Sequence, residues 1–206
     1  MDRPSEHWNT VYNDRSEAAL TWYEEQPFLS HELVMKYSRP GDAIIDMGGG
    51  ASKLVDSLAG DGYGPLTVLD VSEAALQTSK DRLGERADIV TWIAADITKW
   101  TPGRTFALWH DRAVFHFLTD ERDRAAYVSA MDTALVPGGK AIMATFAEDG
   151  PEMCSGLPVV RYSSEGLAQT LDSLAPGQFQ IIEARQHTHV TPKANRQRFQ
   201  VSVFTK

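Results

Sequence analysis

The sequence is poor in several things, and each shortage excludes something. Among 206 residues there is one cysteine, Cys154, so no internal disulfide can form and a reducing, cytoplasmic setting is expected. No apolar run approaches ~18 residues, so no membrane-spanning helix is expected. The opening segment, Met1-Asp2-Arg3-Pro4-Ser5-Glu6, has no basic stretch followed by an apolar one, so no secretory leader is expected. Basic residues are outnumbered, 20 Lys and Arg against 28 Asp and Glu, for a net charge of −8. Duplex nucleic acid needs clustered cations against its phosphates, so it is not an expected partner. There is no internal repeat, low-complexity segment or mark of a second domain. Residues 1–206 are expected to form one domain, with 1–40 as an aromatic cap and 41–206 as the core.

The chain is organised around Ala43-Ile44-Ile45-Asp46-Met47-Gly48-Gly49-Gly50-Ala51-Ser52. It reads as a short buried strand ending at an acid, then a glycine turn, then the start of a helix over Lys53 to Ala59. Glycines there let a backbone come close to a ligand. Upstream, Ser16 is expected to cap a short helix, and Pro27 to start another over Phe28 to Tyr37. Downstream, strands are expected at Leu66–Leu69, Ile89–Ile93, Phe106–Trp109 and Lys140–Phe146. Helices alternate with them: one capped by Ser72 and running to Leu83, and one over Glu121 to Leu135, stopped by Pro137-Gly138-Gly139. This alternation implies a parallel sheet wound with helices on both sides. The tail adds a helix over Ser164 to Leu174. It ends with two β-like runs, Gln178–Arg185 and Arg198–Thr205, which should pair as an antiparallel hairpin.

The glycine turn lacks two things that would assign it elsewhere. A dinucleotide turn of the G-x-G-x-x-G kind needs a glycine where Lys53 stands, and a phosphate loop needs a later Gly-Lys-Ser/Thr. What remains, Asp46-x-Gly48-x-Gly50, has acids at the ends of the following strands: Asp70, Asp96 and Asp111. An acid such as Asp70 can accept hydrogen bonds from both ribose hydroxyls of a nucleoside. Glycine turn and strand-end acids together, with Pro137-Gly138-Gly139 before the fifth strand, resemble the class I S-adenosylmethionine-dependent methyltransferases.

That resemblance implies a Rossmann-like, doubly wound α/β fold. Its sheet has seven strands in the order 3-2-1-4-5-7-6, with the last strand antiparallel. It implies S-adenosylmethionine as cofactor, with S-adenosylhomocysteine as product. The donor is expected among Asp46, Gly48, Gly49, Gly50, Asp70, Val71, Asp96, Ile97, Asp111 and Arg112. Aromatics of the first forty residues, Trp8, Tyr12 and Trp22, are expected to stack on its sulfonium or cover it.

The acceptor is less legible. His116 is the candidate general base. Phe115, Cys154, Arg161, His189 and Arg198 are candidate substrate contacts, His189 within a His187-Thr188-His189 run read as the turn of the final hairpin. No further Cys, His or acid is spaced to complete a metal site there, so no metal is expected. The Asn/Asp-Pro-Pro-Tyr/Phe signature of adenine and amide methylation is replaced by Asp111-Arg112-Ala113-Val114-Phe115, which argues against those branches. The expected acceptor is a small molecule, with a thiol or another soft nucleophile in view. A protein-lysine methyltransferase is the alternative, because His7-Trp8, Val11-Tyr12 and Trp22-Tyr23 are similar to a subgroup that includes such enzymes. A non-catalytic S-adenosylmethionine-binding protein and a nicotinamide oxidoreductase are the other readings. The expected assembly is a monomer or dimer, without nucleic acid or membrane.

Overall fold

A computed structural model describes residues 4–206; Met1 to Arg3, part of the segment read for a leader, lie outside it. Four parallel strands make its centre: β1 (Ile44–Met47), β2 (Leu66–Asp70), β3 (Val90–Ala94) and β4 (Phe106–Arg112). β5 (Leu135–Phe146) pairs parallel to β4, and a separate short ribbon is formed by β6 (Met153–Cys154) and β7 (Leu157–Pro158). The closing hairpin is β8 (Gln180–Val190) and β9 (Arg196–Thr205). The sheet order is β3-β2-β1-β4-β5-β9-β8, and only β9 runs against the rest. Setting the ribbon aside, this is the expected seven-stranded order.

Strand alternation sorts side chains to two faces. Ile44, Leu66, Val68 and Leu108 face α2 (Phe28–Tyr37), α3 (Leu54–Gly60) and α4 (Glu73–Leu83). Ile45, Leu69, Trp109 and Met143 face α5 (Glu121–Ala134) and α6 (Ser164–Leu174). In α4 the buried residues are Ala75, Leu76, Ser79 and Leu83, one stripe at helical spacing, and Ser72 Oγ accepts from Ala75 N–H as its cap.

Three expectations shift. α1 (Pro4–Asp14) is a full helix, where the sequence marks only an aromatic-rich segment. β5 begins at Leu135 rather than Lys140: the chain passes from α5 directly into the strand, and Gly138, at φ +79°, lies within the strand rather than in a turn ahead of it. The register against β4 shifts just there, between Phe106 and Leu108, as a bulge requires. The last hairpin is longer than expected, so His187 and His189 stand in β8, not in its turn.

Candidate active site

The carboxyl ends of β1 to β4 open into a cavity of about 390 Å³. Its inner wall is Met47, Gly48, Leu69, Asp70, Val71, Asp96 and Ile97, and its outer wall is Pro4, Trp8 and Tyr12 of α1 with Trp22. Phe117, Leu118 and Thr119 close one side, and Arg112, Cys154, Leu157 and Pro158 another. A smaller chamber of about 60 Å³ adjoins it, sharing Tyr12, Trp22, Met47, Gly48 and Arg112, and reaching Asp46, Gly49, Ser52 and Lys53.

The glycine turn is as tight as the ligand-approach argument requires. A Cβ at Gly49 would lie 2.4 Å from Asp46 Oδ2, and one at Gly50 would lie 2.5 Å from Asp70 Oδ2. Gly50 therefore does not line the cavity; it makes room for Asp70. Asp70 is buried at the cavity wall, and its Oδ1 accepts from Ser72 N–H at 2.8 Å. Burial pushes its carboxyl up to about 7, with the Asp46 charge acting in the same direction and the Ser72 and Val71 N–H groups opposing. Asp96 differs. Burial acts upward there too, but Lys99 and the hydroxyl and N–H of Thr98 outweigh it and hold the carboxyl below its usual value.

Asp46 is 5% exposed. Its Oδ1 lies 2.6 Å from His110 Nδ1, while Oδ2 has no partner. A buried carboxylate oxygen without a partner costs on the order of a few kcal/mol, more than a site without a ligand would be expected to carry.

The aromatics form a connected roof. Trp8 meets Trp22 and Phe117 edge-on, with ring centroids 5.6 and 5.2 Å away. Trp22 Nε1 donates to Tyr12 Oη at 3.2 Å. Burial, and then the Asp70 charge, push the Tyr12 phenol up, so it stays neutral. The strap between α1 and α2 is pinned over the site: Glu17 pairs with Arg82, Glu25 with Lys53, and Glu24 with Arg112, whose guanidinium also donates to Trp22 O.

Several expected site residues do not reach the cavity. Asp111 has the wrong parity on β4: His110 and Arg112 face the site, while Asp111 faces α5 with Trp109. Its carboxylate is fully buried and accepts from Val114 N–H, Phe115 N–H and Tyr127 Oη. Phe115 is buried in the same core. His116 is fully buried, and its Nδ1 accepts from Phe146 N–H. Burial, with Arg112 adding to it, drives the His116 imidazole down to about 3, so it remains neutral out of contact with the cavity. Arg161 turns outward to Glu152 and Gly150 O, and Arg198 to Asp149 and Gln186. His189 holds the strap, with its two ring nitrogens facing Thr21 O and Glu24. Of the proposed acceptor contacts, only Cys154 lines the cavity; burial raises its thiol to about 11, against the pull of Arg112. Among the described residues no three His, Cys, Asp or Glu side chains gather as a metal site.

Residues 44–139 match the family model described as a methyltransferase domain. The fold, the strand-end acids and this match agree. The matched stretch, a little under half of the chain, carries a methyltransferase domain, and the fold is that of solved S-adenosylmethionine-dependent methyltransferases. The chain resembles the eEF1A lysine and N-terminal methyltransferase of Mus musculus, at 25% identity over 190 residues, 87% of this chain and 26% of that protein. It resembles the Xenopus laevis protein of the same description at 32% over 96 residues, 47% of this chain and 14% of the other. The chain thus spans about a quarter or less of the length of these curated relatives. Among solved structures, the Burkholderia thailandensis 1,6-didemethyltoxoflavin-N1-methyltransferase aligns with TM-score 0.72 at 19% identity, covering 100% of this chain and 91% of that one. A protein described as converting a disulfide bond into a thioacetal group during echinomycin biosynthesis aligns with TM-score 0.76 at 20% identity, covering 99% and 92%. At such identities these likenesses speak for the fold.

The family's methyl donor fits the residues present. The orphaned oxygen of Asp46, glycines at 49 and 50 that leave room for the Asp46 and Asp70 carboxyl groups, and the acid at the end of β2 are all in place. His110 and Glu24 were missed in the sequence. Strand alternation gave a signal for His110, since β4 pairs it side by side with Asp46. Nothing local marks Glu24.

Proposed function

We propose that this chain transfers the methyl group of S-adenosylmethionine to a small-molecule nucleophile, with a thiol or similarly soft nucleophile as the favoured class. The observation that carries the donor part of this reading is the cavity itself. At about 390 Å³ it falls in the size range of small-molecule sites, and aromatic and apolar side chains roof it.

When bound, S-adenosylmethionine supplies an electrophilic methyl carbon on a sulfonium, transferred in one displacement. The chain's own residues bind, orient and exclude water. In this reading Asp70 accepts from the ribose hydroxyls, and Val71, Asp96 and Ile97 border the adenine. Trp8, Tyr12 and Trp22 offer aromatic faces to the cation and keep water off the reacting atoms. Acceptor alignment falls to Tyr12, Arg112, Cys154 and the β6–β7 ribbon. Among the described residues the cavity wall holds no histidine, and its phenol and thiol are held protonated. Its carboxyl groups besides Asp70 are Asp96, engaged by Lys99 and Thr98, and Asp123, and an acceptor that loses its proton readily or needs none asks least of them. The Arg112 guanidinium favours an anionic nucleophile, as its downward pull on Cys154 illustrates.

A protein-lysine acceptor is the second reading, favoured by the likeness to eEF1A lysine and N-terminal methyltransferases. A cytoplasmic setting suits the single reduced cysteine of either. Titration calorimetry with S-adenosylhomocysteine and with NAD tests the donor: binding of the first and none of the second is expected. Tight NAD binding alone overturns it.

A further inference from the structure

The glycine turn leaves Asp46 with one oxygen satisfied and one bare, and what satisfies the first is not solvent. Asp46 on β1 and His110 on β4 are register partners on neighbouring strands. His110 Nδ1 lies 2.6 Å from Asp46 Oδ1, and His110 Nε2 lies 2.9 Å from Ser30 Oγ in the first turn of α2. All three side chains are at least nine-tenths buried. A carboxylate can only accept, so the Nδ1 proton is donated to Asp46. In a neutral ring Nε2 then accepts from the Ser30 hydroxyl. The chain of hydrogen bonds therefore has a direction, from helix to strand to carboxylate.

We propose that Ser30 and His110 are positioning residues for the methyl donor: a buried relay that fixes the Asp46 carboxylate so that its free oxygen receives the donor's α-ammonium group. The inference rests on the donor reading above; what it adds is the pair of residues that aims the acid. Three further observations support it. Asp46 lines the 60 Å³ chamber with Gly49, and a Cβ at position 49 would lie 2.4 Å from its Oδ2, so only glycine leaves that buried oxygen uncrowded. The two cationic side chains of that chamber are committed elsewhere, Lys53 to Glu25 and Arg112 to Glu24 and Trp22 O. A ligand ammonium would supply the charge that the carboxylate lacks. Finally, Ser30 follows the strap directly, and the strap's Glu24 is held by Arg112, two residues from His110 on the same face of β4. Seating of the strap and aim of the carboxylate are thus joined through one strand.

The relay predicts a selective loss. Affinity for S-adenosylhomocysteine, which carries the amino-acid end, is compared by calorimetry with affinity for 5′-methylthioadenosine, which lacks it. His110→Leu, which strips the carboxylate of its donor, should weaken S-adenosylhomocysteine binding by about tenfold or more, and Ser30→Ala by about threefold to fivefold. Methylthioadenosine affinity should stay within about twofold in both, and His110→Asn, which restores a donor near the Nδ1 position, should recover most of the loss. Equal weakening of both ligands would mean a merely structural role and overturns the proposal, as does unchanged S-adenosylhomocysteine affinity in the two variants. If His110→Leu does not fold, Ser30→Ala decides alone by the same comparison. Wild-type protein that binds methylthioadenosine as tightly as S-adenosylhomocysteine overturns the relay and leaves the donor site standing. Wild-type protein that binds neither overturns the donor reading and the relay with it.

Discussion

Asp70 gives the proposed donor site a pH dependence whose size can be worked out. Its carboxyl is held up at about 7, chiefly by burial, against an ordinary value near 3.9. Between those values the folded, ligand-free protein keeps a proton that the unfolded chain has released. The sign follows: this group stabilises the free fold at acid pH, and that contribution is lost as pH rises through about 7. The gap of about three pKa units corresponds to something on the order of 4 kcal/mol between the two protonation states. Ribose hydroxyls donating to the ionised carboxylate would reverse the preference, so ligand should select the ionised form. With a midpoint of about 7, the ionised fraction is about a tenth at pH 6 and about nine-tenths at pH 8. Affinity for S-adenosylhomocysteine should therefore rise about tenfold from pH 6 to pH 8, with close to one proton released per ligand bound at pH 6. Calorimetry in two buffers of different ionisation enthalpy measures both quantities. Asp70→Asn should lower affinity at pH 8 by roughly 1–3 kcal/mol and abolish the slope. A flat wild-type profile, or a slope that survives in Asp70→Asn, refutes the reasoning.

Other predictions follow from the same geometry. Asp111→Asn removes the charge that gathers two backbone N–H groups and Tyr127, so it should cost about 2–4 kcal/mol of stability in a denaturant titration while S-adenosylhomocysteine affinity stays within about twofold. His116 is driven down to about 3 from an ordinary value near 6.5, so its contribution to stability is present above pH 6.5 and lost as pH falls toward 3. His116→Gln should flatten the acid side of the stability curve, by on the order of 1 kcal/mol per pH unit between pH 6 and pH 4, as read by chemical denaturation. Gly49→Ala puts a methyl group against Asp46 Oδ2 and Val68 Cγ1, and affinity for S-adenosylhomocysteine should fall by about tenfold or more in a protein that still folds.

The sheet was legible in the sequence because its order follows from alternation of strand and helix, which local pattern records. Ile44–Met47, Leu66–Asp70 and the Ser72-capped helix fell within a residue or two of their observed bounds. The placing of the glycine turn and of Asp46 and Asp70 at strand ends was legible for the same reason, since such residues are set by short stretches of chain. Asp111 shows the limit. It stands at a strand end like Asp46 and Asp70, yet one residue's parity turns it to the α5 face and leaves His110 beside Asp46. His116, Arg161, His189 and Arg198 were picked as chemically able side chains near the right edge of the sheet. Each is instead engaged by a partner distant in sequence or by the core, and no local pattern reports that. The strap that closes the site is held by Glu17, Glu24 and Glu25 through cations 28 to 88 positions away, a spacing invisible to periodicity.

Where the methyl group goes tests the proposed function most directly. Purified protein is incubated with methyl-labelled S-adenosylmethionine, a panel of small thiols, amines and phenols, and a cell extract, and the label is then separated by size. The account predicts label in the small-molecule fraction, with thiols methylated ahead of amines. Label confined to a protein band, with every small acceptor left unmodified, contradicts it and moves the assignment to a protein-lysine acceptor.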